Sequence, residues 1–68
     1  MKSLIIVNDK FGVFTYVVNY MTGDIERTQY THRMRKKLVY STHKVSNPKY
    51  YVKDLIRQGG KVVMEWAA

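Results

Sequence analysis

"YTHRMRKKLVY", residues 30–40, carries Arg33, Arg35, Lys36, Lys37 and His32 with no carboxylate among them. Its secondary structure decides how many layers the chain builds. As a helix capped by Thr31 and running to about His43, it points Met34 and Leu38 toward a core at i, i+4 spacing, continued by Val45. Arg33, Lys37, Tyr40 and Lys44 then form a second stripe. As a strand continued from Arg27, it places Thr28, Tyr30, His32, Met34, Leu38 and Tyr40 on one side and Arg27, Arg33, Arg35 and Lys37 on the other. RMRKKL contains good helix formers and no β-branched residue, so the helix is the expected form.

The preceding segments read as strands. "SLIIVND" is a short β-branched and leucine run stopped by Asn8-Asp9, and "VFTYVVNYM" follows Phe11-Gly12. In the second run Phe14, Tyr16, Val18 and Tyr20 share one side, while Val13, Thr15, Val17 and Asn19 share the other. "MTGD" supplies a turn in which Gly23 can take positive φ. A third strand from about Ile25 to Tyr30 completes a meander.

After the basic stretch, "SNPKYYVKDLIRQGG" has Asn47 as N-cap, Pro48 at the first helical position and Gly59 as terminator. The spacing predicts a helix over 48–58, with Tyr51, Val52, Leu55 and Ile56 on its apolar side and Lys49, Lys53 and Arg57 on another. "KVVMEW" alternates Val62, Met64 and Trp66 against Lys61, Val63 and Glu65, as a half-buried closing strand would. The expected order is β-β-β-α-α-β: a single α+β domain over 1–68, with two helices packed on one face of a small, mainly antiparallel sheet.

A 68-residue chain buries only about 60% of the surface its unfolded form exposes, and this one has no cysteine for a disulfide or thiolate metal site. Homodimerisation is one remedy for a thin core and open sheet edges. The first apolar run, Leu4 to Val7, is too short for a signal peptide or a membrane span, so a soluble, cytoplasmic protein without membrane attachment is expected. Hydrophobic content of 46% and nine aromatics argue for a folded core rather than a disordered basic tail.

The net charge is +7, and it is unevenly spread. Residues 1–26 sum to −1, residues 27–61 to +9 and residues 62–68 to −1. Ten Lys and Arg against Asp54 alone in the middle segment is the footprint of a surface that holds a polyanion. Solubility by itself needs less charge than that.

Other chemistries find little support. His32 and His43 are eleven apart, with no cysteine and no carboxylate at ligand spacing, so no metal or other cofactor is expected. Turn and strand-surface roles account for Asp9, Asp24 and Glu26, and no nucleophile elbow or glycine-rich phosphate loop is present, so the chain does not read as an enzyme. Binding of RNA or DNA fits best. Arg27, Arg33, Arg35, Lys36, Lys37, Lys44, Lys49, Lys53 and Arg57 would hold phosphates, while Tyr40 and Tyr50, set among them, would stack on unpaired bases or pack lysine stems. The tyrosines tilt this reading toward RNA. The competing reading is a small phage-type or accessory inhibitor that covers an acidic protein surface, anchored by Phe11, Tyr20 or Trp66.

Overall fold

The computed structural model describes residues 1–31 and 38–67. It contains strands β1 (Lys2–Asn8), β2 (Gly12–Asn19), β3 (Asp24–Thr31) and β4 (Leu38–Lys44), helix α1 (Pro48–Arg57), and strand β5 (Lys61–Trp66). The strands form one antiparallel sheet in the order β4-β3-β2-β1-β5. The first four strands are a meander, and α1 carries the chain back over the sheet to add β5 beside β1.

This corrects the expected β-β-β-α-α-β order. Among the described residues the structure has one helix and is mainly β, because residues 38–44 pair with β3 as a strand instead of extending a helix to His43. The helix-forming character of the basic stretch resides in RMRKK, whereas LVYSTHK brings Val39, Tyr40 and Thr42, residues that suit a pleated surface. The helical reading of 32–37 falls outside the described residues. Where the strands are described, the alternation noted for the extended reading holds: Tyr30 lies opposite Leu38 and Thr28 opposite Tyr40, on one side of the sheet.

The rest of the meander follows its sequence signals. Asp9 Oδ1 accepts the N–H groups of Phe11 (2.8 Å) and Gly12 (3.1 Å), closing the β1–β2 connection. Asn19 Oδ1 accepts from Met21 and Thr22 at 2.9 and 3.1 Å in the next one, where Gly23 has φ +79°. A side chain at Gly23 would meet the Val45 carbonyl oxygen as well as the unfavourable φ.

Helix α1 is bounded as its residues dictate. Asn47 Oδ1 accepts from the Tyr50 N–H at 3.1 Å and Pro48 opens the helix. At its end Gly60 N–H donates to Leu55 O (2.8 Å) and Gly59 N–H to Ile56 O (3.0 Å), a Schellman pair that needs the left-handed φ of +96° at Gly59. Val52 and Leu55 are buried against the sheet, whereas Ile56, expected on the apolar side, is 48% exposed.

The core lies between α1 and the β1–β2 half of the sheet. Ile5, Val7, Tyr16, Val18 and Ile25 meet Val52 and Leu55, and Phe14, Tyr20, Val45 and Tyr51 pack around them. Buried Ser3 is satisfied by the Tyr20 hydroxyl, with the oxygens 3.0 Å apart. The other side of β1 and β2, bearing Leu4, Ile6, Val13, Thr15 and Val17, has no described element packed on it. In β5 a bulge interrupts the expected alternation: Met64 faces Leu4 and Val62 faces Ile5, so Val62 sits with the core side and Met64 and Trp66 with the open side.

Candidate nucleic-acid interface

The antiparallel register sorts the connections to two ends of the sheet. At what we call the upper end lie Asn8, Gly12, Thr31, Leu38 and Lys61; at the lower end lie Lys2, Asn19, Asp24, Lys44 and Trp66. Helix α1 runs from the lower to the upper end, because it leaves β4 at Lys44 and enters β5 at Lys61.

Among the described residues, cations gather at the upper end through two connections. The β1–β2 turn contributes Lys10, and the α1–β5 junction contributes Arg57 and Lys61. Between Thr31 and Leu38, both at this end, the sequence carries Arg33, Arg35, Lys36 and Lys37. Among the described residues, Lys10, Arg57 and Lys61 against Asp9 leave +2 at this end. Their spread follows from strand spacing: five strands about 4.8 Å apart make an end roughly 19 Å wide.

Two features keep this end open to a ligand. Phe11 is 62% exposed at the tip of the turn, with Lys10 Nζ 5.1 Å from its ring centroid. Arg57 reaches Asp54 at 3.7 Å, but both side chains are well exposed, so the pair is weak and its guanidinium can still meet a phosphate.

The remaining candidates are placed elsewhere. Arg27 lies on the helix-bearing side of β3, half-buried, 5.2 and 5.9 Å from the ring centroids of Phe14 and Tyr16, with its Nε–H donating to the Tyr16 hydroxyl at 3.4 Å. It is a packing residue there. Lys44 sits at the lower end, 3.6 Å from Asp24. Lys49 and Lys53 line a shallow hollow of about 400 Å³ with Met1, Tyr20, Val52 and Glu65, on the β5 flank of α1. Tyr50 is exposed on the opposite flank, near Val45 and Asp54. Tyr40 lies on the open sheet face and donates to Glu26 Oε1 at 2.9 Å; that bond holds the phenol above its usual pKa. Of the two helical stripes expected to merge, the first has Tyr40 and Lys44 in strand β4 instead of a helix beside α1, and its Arg33 and Lys37 fall outside the described residues.

Sequence reasoning missed Lys10 and Lys61, and that Phe11 is exposed beside them. Their signal was topological: odd-numbered connections of an antiparallel meander start and finish at one end, so Lys10 shares that end with Thr31 and Leu38. Lys61 joins them only because α1 returns the chain to that end.

Beside α1, Tyr51 makes edge contacts with Tyr16 and His43, at centroid distances of 6.2 and 5.7 Å. Burial raises the Tyr51 pKa, with Tyr16 and Asp54 adding to the rise and Arg27 opposing it. Among the described residues no group of three or more His, Cys, Asp or Glu is placed to hold a metal ion. No helix among them is long and apolar enough to cross a membrane. Comparison with protein-family models, with curated proteins and with solved structures finds no match.

Proposed function

We propose that this is a non-enzymatic nucleic-acid-binding protein that holds RNA in preference to DNA at the upper end of its sheet. The observation that carries the proposal is the convergence there of Lys10, Arg57 and Lys61 with both ends of the connection bearing Arg33, Arg35, Lys36 and Lys37. Lysine and arginine contacts to phosphate release condensed counterions, and a guanidinium can also bond two phosphate oxygens. An end about 19 Å wide spans roughly five phosphates of one strand at the 3.4 Å spacing of a duplex.

Phe11 favours a single-stranded target. An exposed ring beside cations offers a stacking platform for an unpaired base, worth about 1–3 kcal/mol. The lower end lacks this combination, since its charges are mixed and Lys44 is engaged by Asp24.

Salt titration tests the proposal directly. Five phosphate contacts give a slope of log K against log salt of about −3.5 for single strands and −4.5 for duplex. Joint reversal of Arg33, Arg35, Lys36 and Lys37 to Glu is expected to abolish RNA binding while leaving the circular dichroism spectrum unchanged. A pull-down before and after nuclease treatment separates the competing reading: a partner protein retained after nuclease, with no affinity for RNA, assigns the basic end to an acidic protein surface.

A further inference from the structure

We propose that the open face of the sheet is covered by a second copy of this chain, making a face-to-face β-sandwich dimer. Leu4, Ile6, Val13, Val17, Tyr30 and Met64 all project to that face by the strand registers. No described element packs there, because α1 contacts β1 and β2 from the other side. Met64 is 55% exposed, and Leu38 and Tyr40, on the same face of edge strand β4, are 66% and 61% exposed.

Area and charge select a second copy as the occupant. Five strands of about seven residues span about 19 Å between the edge-strand axes and about 24 Å with half a strand spacing added on each side, so the face is roughly 24 by 23 Å, or about 550 Å² per copy before side-chain relief is counted. Two such faces in full overlap remove about 1,100 Å² of flat area from water, near the roughly 1,000 Å² that a specific interface needs. Of its charged groups, Lys2, Asp24 and Lys44 lie at the lower end, Lys61 lies on edge strand β5 beside Ile6, and Glu26 lies on β3 beside Val17, where it accepts from Tyr40; the inner strands β1 and β2 bring Leu4, Ile6, Val13, Thr15 and Val17, all uncharged, to the middle of the face. A nucleic acid would gain little from a Leu, Ile and Val centre, whereas an identical apolar sheet matches it at the usual spacing of about 10 Å. The basic upper ends repel each other, so the two copies pack with those ends pointing in opposite directions, each beside the near-neutral lower end of its neighbour. The need is physical: seven buried hydrophobic residues on one side are a small core for a sheet of five strands.

The test uses the full chain, cleared of nucleic acid by nuclease, in sedimentation velocity over about a hundredfold concentration range. The expected result is a dimer that dissociates on dilution. Val17→Glu, which places a second carboxylate beside Glu26 within the joint, is expected to weaken it by at least about a hundredfold, and Val17→Thr by less than about tenfold. Ile56→Glu, on the exposed side of α1, is expected to leave it intact. The absence of cysteine allows a second readout in a folded chain. Thr15→Cys, at the middle of the open face, is expected to cross-link to its counterpart with a thiol reagent of about 10 Å span, and Asn47→Cys is not. A monomer throughout, a dimer indifferent to Val17→Glu, or cross-linking from Asn47→Cys but not Thr15→Cys overturns the proposal. So does a monomer whose RNA affinity is lost in Val17→Glu, since that makes RNA the occupant.

Discussion

The two ends of the sheet are built from the same kind of connection and handle their polar groups in opposite ways. At the lower end, Asn19 accepts two backbone N–H groups, the Gly23 carbonyl accepts from Val45, Thr22 donates to Asp24, and Asp24 pairs with Lys44. Nearly everything there is turned inward on the turn itself. Among the described residues of the upper end, Asp9 closes the β1–β2 turn and Asp54 holds Gln58 and Arg57, while Lys10, Phe11 and Lys61 are exposed. The lower end is a structural joint, and the upper end is a charged surface made of joints. A small sheet with one face given to its core has few other places to put a cluster of like charges, because its strands must alternate and its helix must lie flat.

That contrast can be broken most severely at the lower end. Gly23→Val puts a β-branched residue at φ +79° and against the Val45 carbonyl, and is expected to destabilise the fold by about 2–4 kcal/mol. Urea unfolding measures it, and the salt slope for RNA binding by the remaining folded protein should stay as in the wild type. At the upper end, Phe11→Ala is expected to weaken single-stranded RNA binding by about 1–3 kcal/mol with little change in unfolding free energy. A loss equal for duplex and single strand would remove the stacking role of that ring.

Smaller effects sharpen the comparison. Asn47→Ala removes the α1 cap and should lower stability by about 1 kcal/mol without touching RNA affinity. Paired neutralisation gives the finest test: Arg57→Gln with Lys61→Gln should reduce the magnitude of the salt slope by about 1.4–1.8, whereas Lys44→Gln with Lys49→Gln should leave it nearly unchanged. Equal effects from the two pairs would mean that charge position is irrelevant.

The smallest expected effect is a pH dependence away from both ends. Burial raises the Tyr51 pKa above that of the unfolded chain, so its neutral form contributes stability that is complete below the ordinary tyrosine value near 10. That contribution fades as pH rises through the higher folded value. Tyr51→Phe should therefore flatten the alkaline fall of stability, measured by urea unfolding from neutral to strongly alkaline pH.

Much of this was written locally. The alternation in VFTYVVNY placed Phe14, Tyr16 and Val18 on the core side, and Asn47-Pro48 with Gly59 bounded α1 to within a residue. The basic stretch misled because its helix-forming half and its strand-forming half adjoin without a breaker. RMRKK favours a helix when averaged with its neighbours, and the hydrogen bonds that make Leu38–Lys44 a strand come from β3, a partner that no local window contains. Edge position matters too: every residue of β4 is exposed, so no apolar alternation marks it as a strand.

The candidate interface was legible as charge and not as shape. The sequence by itself determined the excess of cations after residue 26, the meander, the capped helix and the absence of any disulfide. Those depend on composition, on the two-residue period of a strand and on caps within a few residues of each other. Only the tertiary structure decided that Lys10 and Lys61 join the basic end, that Lys44 and Lys49 lie at the other, and that the Leu4–Val17 side of the sheet is left open. Strand pairing sets which connections share an end, and a single helix can cover only one face of a sheet; both are relations between distant segments.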